Sequence, residues 1–168
     1  MLPKIKTKTN ITNNAKIFPE LDYLLRFDGC SKGNPGKAGC GAVIYHDGDE
    51  IWSDYFYVGL NATNNHAEYA GLILGLQKAL DLNIYSLSVE GDSQLVIQQM
   101  NKVYKCKSSN LFELYERATD LASKFKIIHF NHIYRNQNKR ADELSNMAIL
   151  DNDAITDIDE IDKIDEID

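Results

Sequence analysis

The chain has 168 residues, of which 43% are hydrophobic and 26% charged, and its formal net charge is −7. This length and balance suit one globular domain rather than two, with a core large enough to need no disulfide staple. No apolar run approaches the roughly 20 residues that a membrane span requires, so we expect no membrane association.

The negative charge is concentrated at one end of the chain. Residues 151–168 hold nine acids and one lysine, a net charge of −8. The remaining 150 residues hold 17 basic and 16 acidic side chains and therefore carry +1. The acidic total thus does not exclude a nucleic-acid partner, although no dense basic run indicates one.

Residues 1–20 are rich in Lys, Thr and Asn, and we predict a flexible N-terminal extension there, followed by one domain over residues 21–150. The extension lacks the apolar segment of a secretory signal. The three cysteines form no CxxC pair, which favours reduced thiols over disulfides or zinc. We therefore expect an intracellular protein, cytoplasmic or nuclear, that is not secreted.

The sequence of the first part of the domain predicts three strands in succession. Residues 23–27 form a short apolar run that ends at Asp28, and a glycine-rich loop is predicted over residues 30–39. Two β-type runs follow at residues 42–45 and 51–58. An Asp-Gly pair between them is a hairpin signal. Strands joined this directly are expected to be antiparallel neighbours.

Helices and strands alternate in the second part. Residues 67–80 are apolar on nearly all sides, which is typical of a helix buried against a sheet. A strand at residues 86–90, two helices separated by a polar linker at residues 101–110, a strand at residues 127–134 and a final helix follow. Strands joined through helices imply parallel neighbours. The sequence therefore predicts an α/β fold whose five-stranded mixed sheet, three antiparallel strands plus two parallel ones, is flanked by helices.

The acidic end carries isoleucine at every third position, from Ile155 to Ile167. A period of three matches neither the 3.6-residue repeat of a helix nor the two-residue repeat of a strand. We therefore predict that residues 151–168 are an acidic, disordered tail. The functional alternative is a tail that competes with nucleic acid for the site.

Four carboxylates border apolar elements. Asp28 and Asp92 end the first and fourth strands, Glu68 lies in the first turn of the buried helix, and Asp142 lies in the first turn of the last helix. Sites in open α/β sheets form at the carboxyl ends of parallel strands, so these acids are expected to meet at one edge. Converging carboxylates repel one another, and oxygen-only ligands suit magnesium or manganese. Two such ions can clamp the attacking and leaving oxygens of a phosphodiester.

Four motifs, in the same order as in one known family, carry a resemblance. They are residues 27–36 (FDGCSKGNPG), 63–68 (TNNHAE), 91–96 (GDSQLV) and 138–144 (NKRADEL). From Asp22 to about Leu150 the chain resembles type 1 ribonuclease H, in the style of archaeal and plant members that lack a basic protrusion. The resemblance implies the ribonuclease H-like fold. It also implies an endoribonuclease that hydrolyses the RNA strand of RNA–DNA hybrids by a two-metal-ion mechanism, giving 5′-phosphate and 3′-hydroxyl ends.

The resemblance also implies roles for individual residues. The catalytic, metal-binding carboxylates would be Asp28, Glu68, Asp92 and Asp142, holding two Mg²⁺ ions for which Mn²⁺ can substitute. The residues that contact substrate would be Cys30, Ser31, Asn34, Asn64, Gln94 and Asn138. Reading the 2′-hydroxyl near Cys30 and Ser31 would distinguish RNA from DNA. Shape and phosphate contacts would hold the rest of the hybrid, so little sequence preference is expected.

Two features depart from the family's pattern. Arg135 takes the place of a mobile histidine on the loop before the last helix, and an arginine can hold a phosphate but cannot act as a base at neutral pH. His132 falls near the same position, and the sequence leaves open which of the two assists catalysis. The linker at residues 101–110 has three lysines in place of a long basic protrusion, which predicts modest affinity for the hybrid.

Three other functions are weighed against this one. A non-catalytic hybrid- or RNA-binding module could use the same fold, but the complete carboxylate set argues against it. A mononucleotide-binding loop requires a helix after its glycines, whereas a strand follows the glycine run at residues 33–41. Double-stranded RNA stays open as a second substrate. We expect a monomer whose main partner is an RNA–DNA hybrid duplex.

Overall fold

The computed structural model describes residues 21–165, so the predicted N-terminal extension and the last three residues lie outside it. The elements follow in the predicted order. They are β1 (Tyr23–Lys32), β2 (Gly36–His46), β3 (Asp49–Ala62), α1 (Asn64–Asp81), β4 (Ser86–Gly91), α2 (Gln94–Met100), α3 (Ser109–Ser123), β5 (Ile127–His132) and α4 (Lys139–Asp165). A short 3₁₀ turn, Arg135–Gln137, links β5 to α4.

The sheet has five strands in the order β3-β2-β1-β4-β5. The pairs β1–β2 and β2–β3 are antiparallel, whereas β1–β4 and β4–β5 are parallel. This confirms the predicted mixed sheet. It also puts β1 at the centre, where the strand that carries Asp28 has the strand that leads to Asp92 as its parallel neighbour.

Helices cover the sheet on both sides. The main core joins β1 and β4 to α1, α2 and α3 through apolar side chains that include Phe27, Leu72, Leu87, Ile97 and Leu121. On the opposite side, Ala141 and Leu144 of α4 pack against Val43 of β2. Such a layered arrangement is the usual way for a sheet to bury both of its apolar faces.

The predicted glycine-rich loop at residues 30–39 is wrong, because most of it is strand. β1 extends to Lys32 and β2 begins at Gly36, so Asp28 lies inside a ten-residue strand rather than at its end. The glycines serve close packing instead of loop flexibility: a Cβ on Gly29 would collide with the backbone of α1, and one on Gly39 with the backbone of α4.

The predicted disorder from residue 151 onward is also wrong through residue 165, since α4 runs without a break to Asp165. Two strand side chains hold its first part. The Tyr55 hydroxyl donates to the Asp151 carboxylate at 2.5 Å, and Lys37 Nζ lies 2.7 Å from Asp153 Oδ1. Ile155, the first of these isoleucines, is 61% exposed, so its place in the helix depends on no apolar stripe.

Two further expectations concern the environment of the protein. Between residues 21 and 165, no helix combines the length and the apolar content needed to cross a membrane. All three cysteines, Cys30, Cys40 and Cys106, are free thiols in the described chain, as predicted.

Candidate active site

Asp28 is the buried centre of the site. It lies on the α4 side of β1 and is 5% exposed, and Ser145 Oγ of α4 donates a hydrogen bond to its Oδ2 at 2.6 Å. Burial raises the pKa of Asp28 to about 6; the Ser145 hydrogen bond opposes this rise, while the charges of Asp92 and Asp142 add to it. A carboxylate in this position is costly to ionise unless positive charge is supplied.

Glu68 enters the site from the first part of α1, which Thr63 caps by accepting a hydrogen bond from the His66 amide. Its side chain is 8% exposed, and Oε2 has no hydrogen-bond partner among the described residues. Burial, together with the charges of Asp28 and Asp92, holds the pKa of Glu68 well above its ordinary value. An unpartnered buried carboxylate oxygen is rare and indicates that something else is meant to bind there.

Asp92 comes directly after β4. The parallel register of β1 and β4 pairs Phe27 with Gly91, so the next residues, Asp28 and Asp92, lie side by side where β4 ends. One ligand atom from each of Asp28, Glu68 and Asp92 lies within 4.8 Å of the others. Partial burial raises the pKa of Asp92, and the charge of Arg135 opposes the rise. The structure thus brings together three of the four predicted carboxylates.

Asp142, the fourth carboxylate, lies at the rim. It lines the same 390 Å³ cavity as the other three but does not belong to the group within 4.8 Å. Its Oδ1 accepts a hydrogen bond from Arg135 Nη2 at 3.1 Å. This ion pair puts the arginine at the mouth of the acidic cavity.

The donor set fits a divalent cation. Three carboxylates converge, two of them are buried, and one oxygen of Glu68 is without a partner in the described chain. A cation among them would offset the burial and the mutual repulsion that raise the pKa values of these carboxylates. Carboxylate oxygens are hard ligands of the kind that magnesium and manganese prefer.

Arg135 and His132, the two alternatives on the loop before α4, both line the cavity. His132 Nε2 lies 3.2 Å from the main-chain oxygen of Asp92, and a ring nitrogen in that position has to carry a hydrogen and donate it. This nitrogen therefore holds the β5 end against Asp92. Arg135 is 79% exposed and keeps most of its guanidinium available to a ligand.

Three of the predicted substrate residues form a chain of hydrogen bonds beside the cavity. The main-chain amide of Asn64 donates a hydrogen bond to Asn34 Oδ1 at 2.9 Å, and the main-chain amide of Ser31 donates one to Asn64 Oδ1 at 2.8 Å. Ser31 Oγ in turn donates to the Ala62 carbonyl. These bonds fasten the turn between β1 and β2 to the start of α1, so both exposed asparagines are held in place.

The other predicted substrate residues occupy different environments. Cys30 lines the cavity, and Gln94 is exposed in the first turn of α2. Asn138 is different, because it is only 1% exposed and its Nδ2 donates to the Phe27 carbonyl at 2.9 Å. The expectation that Asn138 contacts substrate is therefore corrected: it ties the start of α4 to β1 next to Asp28. Its place in a motif could not reveal that the side chain points inward.

Ser145 was missed by the sequence reasoning. It is completely buried and contacts the Asp28 carboxylate directly. The available signal was its spacing, since a residue three positions after Asp142 lies on the same side of a helix.

Comparisons with known proteins agree with this fold. Residues 26–148 match the family model described as "Reverse transcriptase-like". Over 130 residues the chain is 41% identical to a bifunctional protein of Mycobacterium tuberculosis, covering 77% of this chain and 36% of that protein. The chain therefore spans about a third of this relative's length.

Two solved structures are similar in both sequence and fold. The RNase H1 of the archaeon Halobacterium salinarum is 37% identical with a TM-score of 0.73, covering 77% of this chain and 98% of that one. LC11-RNase H1, solved in complex with an RNA/DNA hybrid, is 36% identical with a TM-score of 0.71, covering 76% of this chain and 96% of that one.

Proposed function

Because the chain belongs to the ribonuclease H family, we propose that it is an endoribonuclease that hydrolyses the RNA strand of RNA–DNA hybrids and leaves 5′-phosphate and 3′-hydroxyl ends. The observation that carries the proposal is the convergence of Asp28, Glu68 and Asp92 within 4.8 Å, in a cavity that Asp142 and Arg135 complete. The relative solved with a hybrid supports the choice of substrate.

The proposed cofactor is a pair of Mg²⁺ ions, for which Mn²⁺ can substitute, held by Asp28, Glu68 and Asp92 with Asp142. When bound, divalent ions supply charge stabilisation at a phosphodiester and make water more acidic. The chain's own part is to keep these carboxylates together. The strand register fixes Asp28 beside Asp92, and the close approach of α1 to Gly29 keeps Glu68 next to them.

The neutral side chains around the cavity would position the hybrid. Asn64 Oδ1 accepts a hydrogen bond from the Ser31 main-chain amide. The side-chain NH₂ group of Asn64 can then donate to an oxygen of the RNA strand. Gln94 is exposed at the start of α2, two residues after Asp92. Exposed side-chain amides can bind the sugar-phosphate backbone of a strand without contacting its bases, which is consistent with little sequence preference.

The decisive experiment offers matched RNA–DNA, RNA–RNA and DNA–DNA duplexes to the protein with Mg²⁺, then maps the cuts and the chemistry of the ends. We expect cuts in the RNA strand of the hybrid, with 5′-phosphate ends, and none in excess chelator. Cleavage of the RNA–RNA duplex would identify a second substrate. An intact hybrid at every Mg²⁺ and Mn²⁺ concentration would contradict the proposal and favour a hybrid-binding module.

Arg135 is expected to contribute to turnover more than His132 does. Changing Arg135 to Gln removes an exposed cation at the mouth of the cavity, so we expect a several-fold fall in hybrid cleavage, since about 1.4 kcal/mol in the barrier is tenfold in rate. His132→Ala removes the hydrogen bond to the Asp92 main-chain oxygen, so the cleavage rate should stay within about a factor of two of the wild type. Steady-state rates of both variants on one hybrid test this, and a larger loss for His132→Ala would reverse the assignment.

Deletion of residues 151–168 is expected to leave cleavage intact and to raise hybrid affinity severalfold at low salt. The deleted segment carries a net charge of −8, and its Asp153 forms an ion pair with Lys37. The gain should shrink as salt screens the charges. Hybrid binding measured at two salt concentrations, with Asp151→Asn/Asp153→Asn as the length-matched control, tests this. A large fall in melting temperature would instead mean that the fold depends on the end of α4.

A further inference from the structure

We infer that Ser145 is a positioning residue for the central carboxylate: its hydroxyl fixes the Asp28 side chain in the orientation that a divalent ion requires. The inference rests on the proposed metal site and adds to it a residue that does not itself touch ion or substrate. Residues behind the ligands of a metal often decide how well it binds, because they restrict the ligands' motion.

The contact is short and completely enclosed. Ser145 has no exposed surface, and its Oγ lies 2.6 Å from Asp28 Oδ2 and 2.9 Å from the main-chain oxygen of Asp142. Hydrogen bonds to a charged oxygen are shorter and about twice as strong as neutral ones. Ser145 is thus a buried side-chain donor to this carboxylate, beside the Gly29 main-chain amide, which also hydrogen-bonds to it.

The single hydroxyl hydrogen has two acceptors within reach, and the surroundings favour Asp28. The Asp142 carbonyl also accepts a hydrogen bond from Asn146 Nδ2 at 2.8 Å, so it keeps a donor without Ser145. An ionised Asp28 has no hydrogen to give and needs one. The Ser145 hydrogen is therefore assigned to Asp28 Oδ2, and this hydrogen bond restricts the rotation of the carboxylate.

Strand β2 is shaped to allow this contact. Gly41 pairs with Asp28 across the sheet, and a Cβ on Gly41 would lie 2.9 Å from the Ser145 amide nitrogen and closer still to the Leu144 side chain. A Cβ on Gly39 would collide with the Ser145 carbonyl oxygen. Two glycines thus let α4 approach the sheet at Ser145, which brings the hydroxyl to the Asp28 carboxylate.

The experiment measures Mn²⁺ affinity of the full chain without substrate, by electron paramagnetic resonance or calorimetry. We expect Ser145→Ala to bind Mn²⁺ about tenfold more weakly than the wild type. Asn146→Ala is the matched control, because it removes a donor from the same Asp142 carbonyl without touching Asp28; its affinity should equal that of the wild type. Ser145→Thr keeps the hydroxyl and should restore binding.

The outcomes separate this inference from the proposed function. If the wild type binds Mn²⁺ and Ser145→Ala binds it equally well, or if Asn146→Ala loses as much, Ser145 has no positioning role. If the wild type binds no Mn²⁺, the metal site itself is overturned, and the role of Ser145 with it. If circular dichroism shows that Ser145→Ala does not fold, Ser145→Cys takes its place, because a thiol is only a weak donor. Mn²⁺ affinity equal to that of the wild type in Ser145→Cys would then exclude a positioning role for Ser145.

Discussion

Asp28→Asn is expected to abolish hybrid cleavage and to stabilise the metal-free protein at neutral pH. The neutral amide lacks the negative charge with which the carboxylate would hold a divalent ion, and the loss of several kcal/mol of charge stabilisation corresponds to roughly a thousandfold or more in rate. The amide oxygen can still accept the Ser145 hydrogen bond, so the fold keeps that contact. Turnover of a labelled hybrid and melting in excess chelator measure the two effects.

The direction of the stability change follows from the raised pKa of Asp28, about 6 in the folded chain against 3.8 ordinarily. Between these pH values the folded protein holds a proton that the unfolded chain has released, so stability falls as pH rises and the full penalty is present above pH 6. A difference of this size corresponds to about 3 kcal/mol as an upper estimate. The variant should therefore melt at a higher temperature at pH 7.5 and at about the same temperature at pH 3.5.

Asp49→Asn is the control for the loss of one negative charge, because Asp49 is exposed at the start of β3 and outside the cavity. It should change neither cleavage nor the melting temperature. Turnover of Asp28→Asn at the wild-type rate would show that Asp28 is not a metal ligand. A lower melting temperature at pH 7.5 would show that the carboxylate stabilises the fold by contacts that the amide cannot make.

The general architecture could be predicted from the sequence because it depends on periodicity and connection length. Short links force antiparallel neighbours, helical connections force parallel ones, and the resulting sheet puts β1 beside β4. Once these strands are neighbours, Asp28 and Asp92 have to lie side by side. The same reasoning located Glu68, since a buried helix after β3 has to begin near the same edge.

The details that failed are those that depend on tertiary neighbours. Gly39 was part of the predicted loop, but it is a strand residue whose missing side chain makes room for α4. Asn138 belongs to a motif at a helix start, and only the fold shows that it is buried against Phe27. The first part of the acidic continuation of α4 contacts Tyr55 and Lys37, which are distant from it in sequence. No local pattern carries this information.

Gly29→Ala is expected to destabilise the protein by about 3 kcal/mol and to weaken metal binding at the same time. A Cβ on Gly29 would meet the Ala67 carbonyl carbon and the Glu68 amide nitrogen well inside contact distance, and backbone atoms cannot rotate away. Strand β1 and helix α1 must then separate, with a cost typical of severe overpacking. Because Asp28 and Glu68 lie on either side of this contact, the same separation pulls two metal ligands apart.

The combined loss of stability and of metal binding distinguishes Gly29 from an ordinary turn glycine. Gly48→Ala is the matched control: nothing lies within 4 Å of a Cβ there, so only the backbone strain of its positive φ, +86°, is added, about 1 kcal/mol. Both variants should melt earlier, but only Gly29→Ala should lose Mn²⁺ affinity and hybrid cleavage. If Gly29→Ala melted like the wild type and bound Mn²⁺ as tightly, the close approach of α1 to β1 would not be what holds Glu68 beside Asp28.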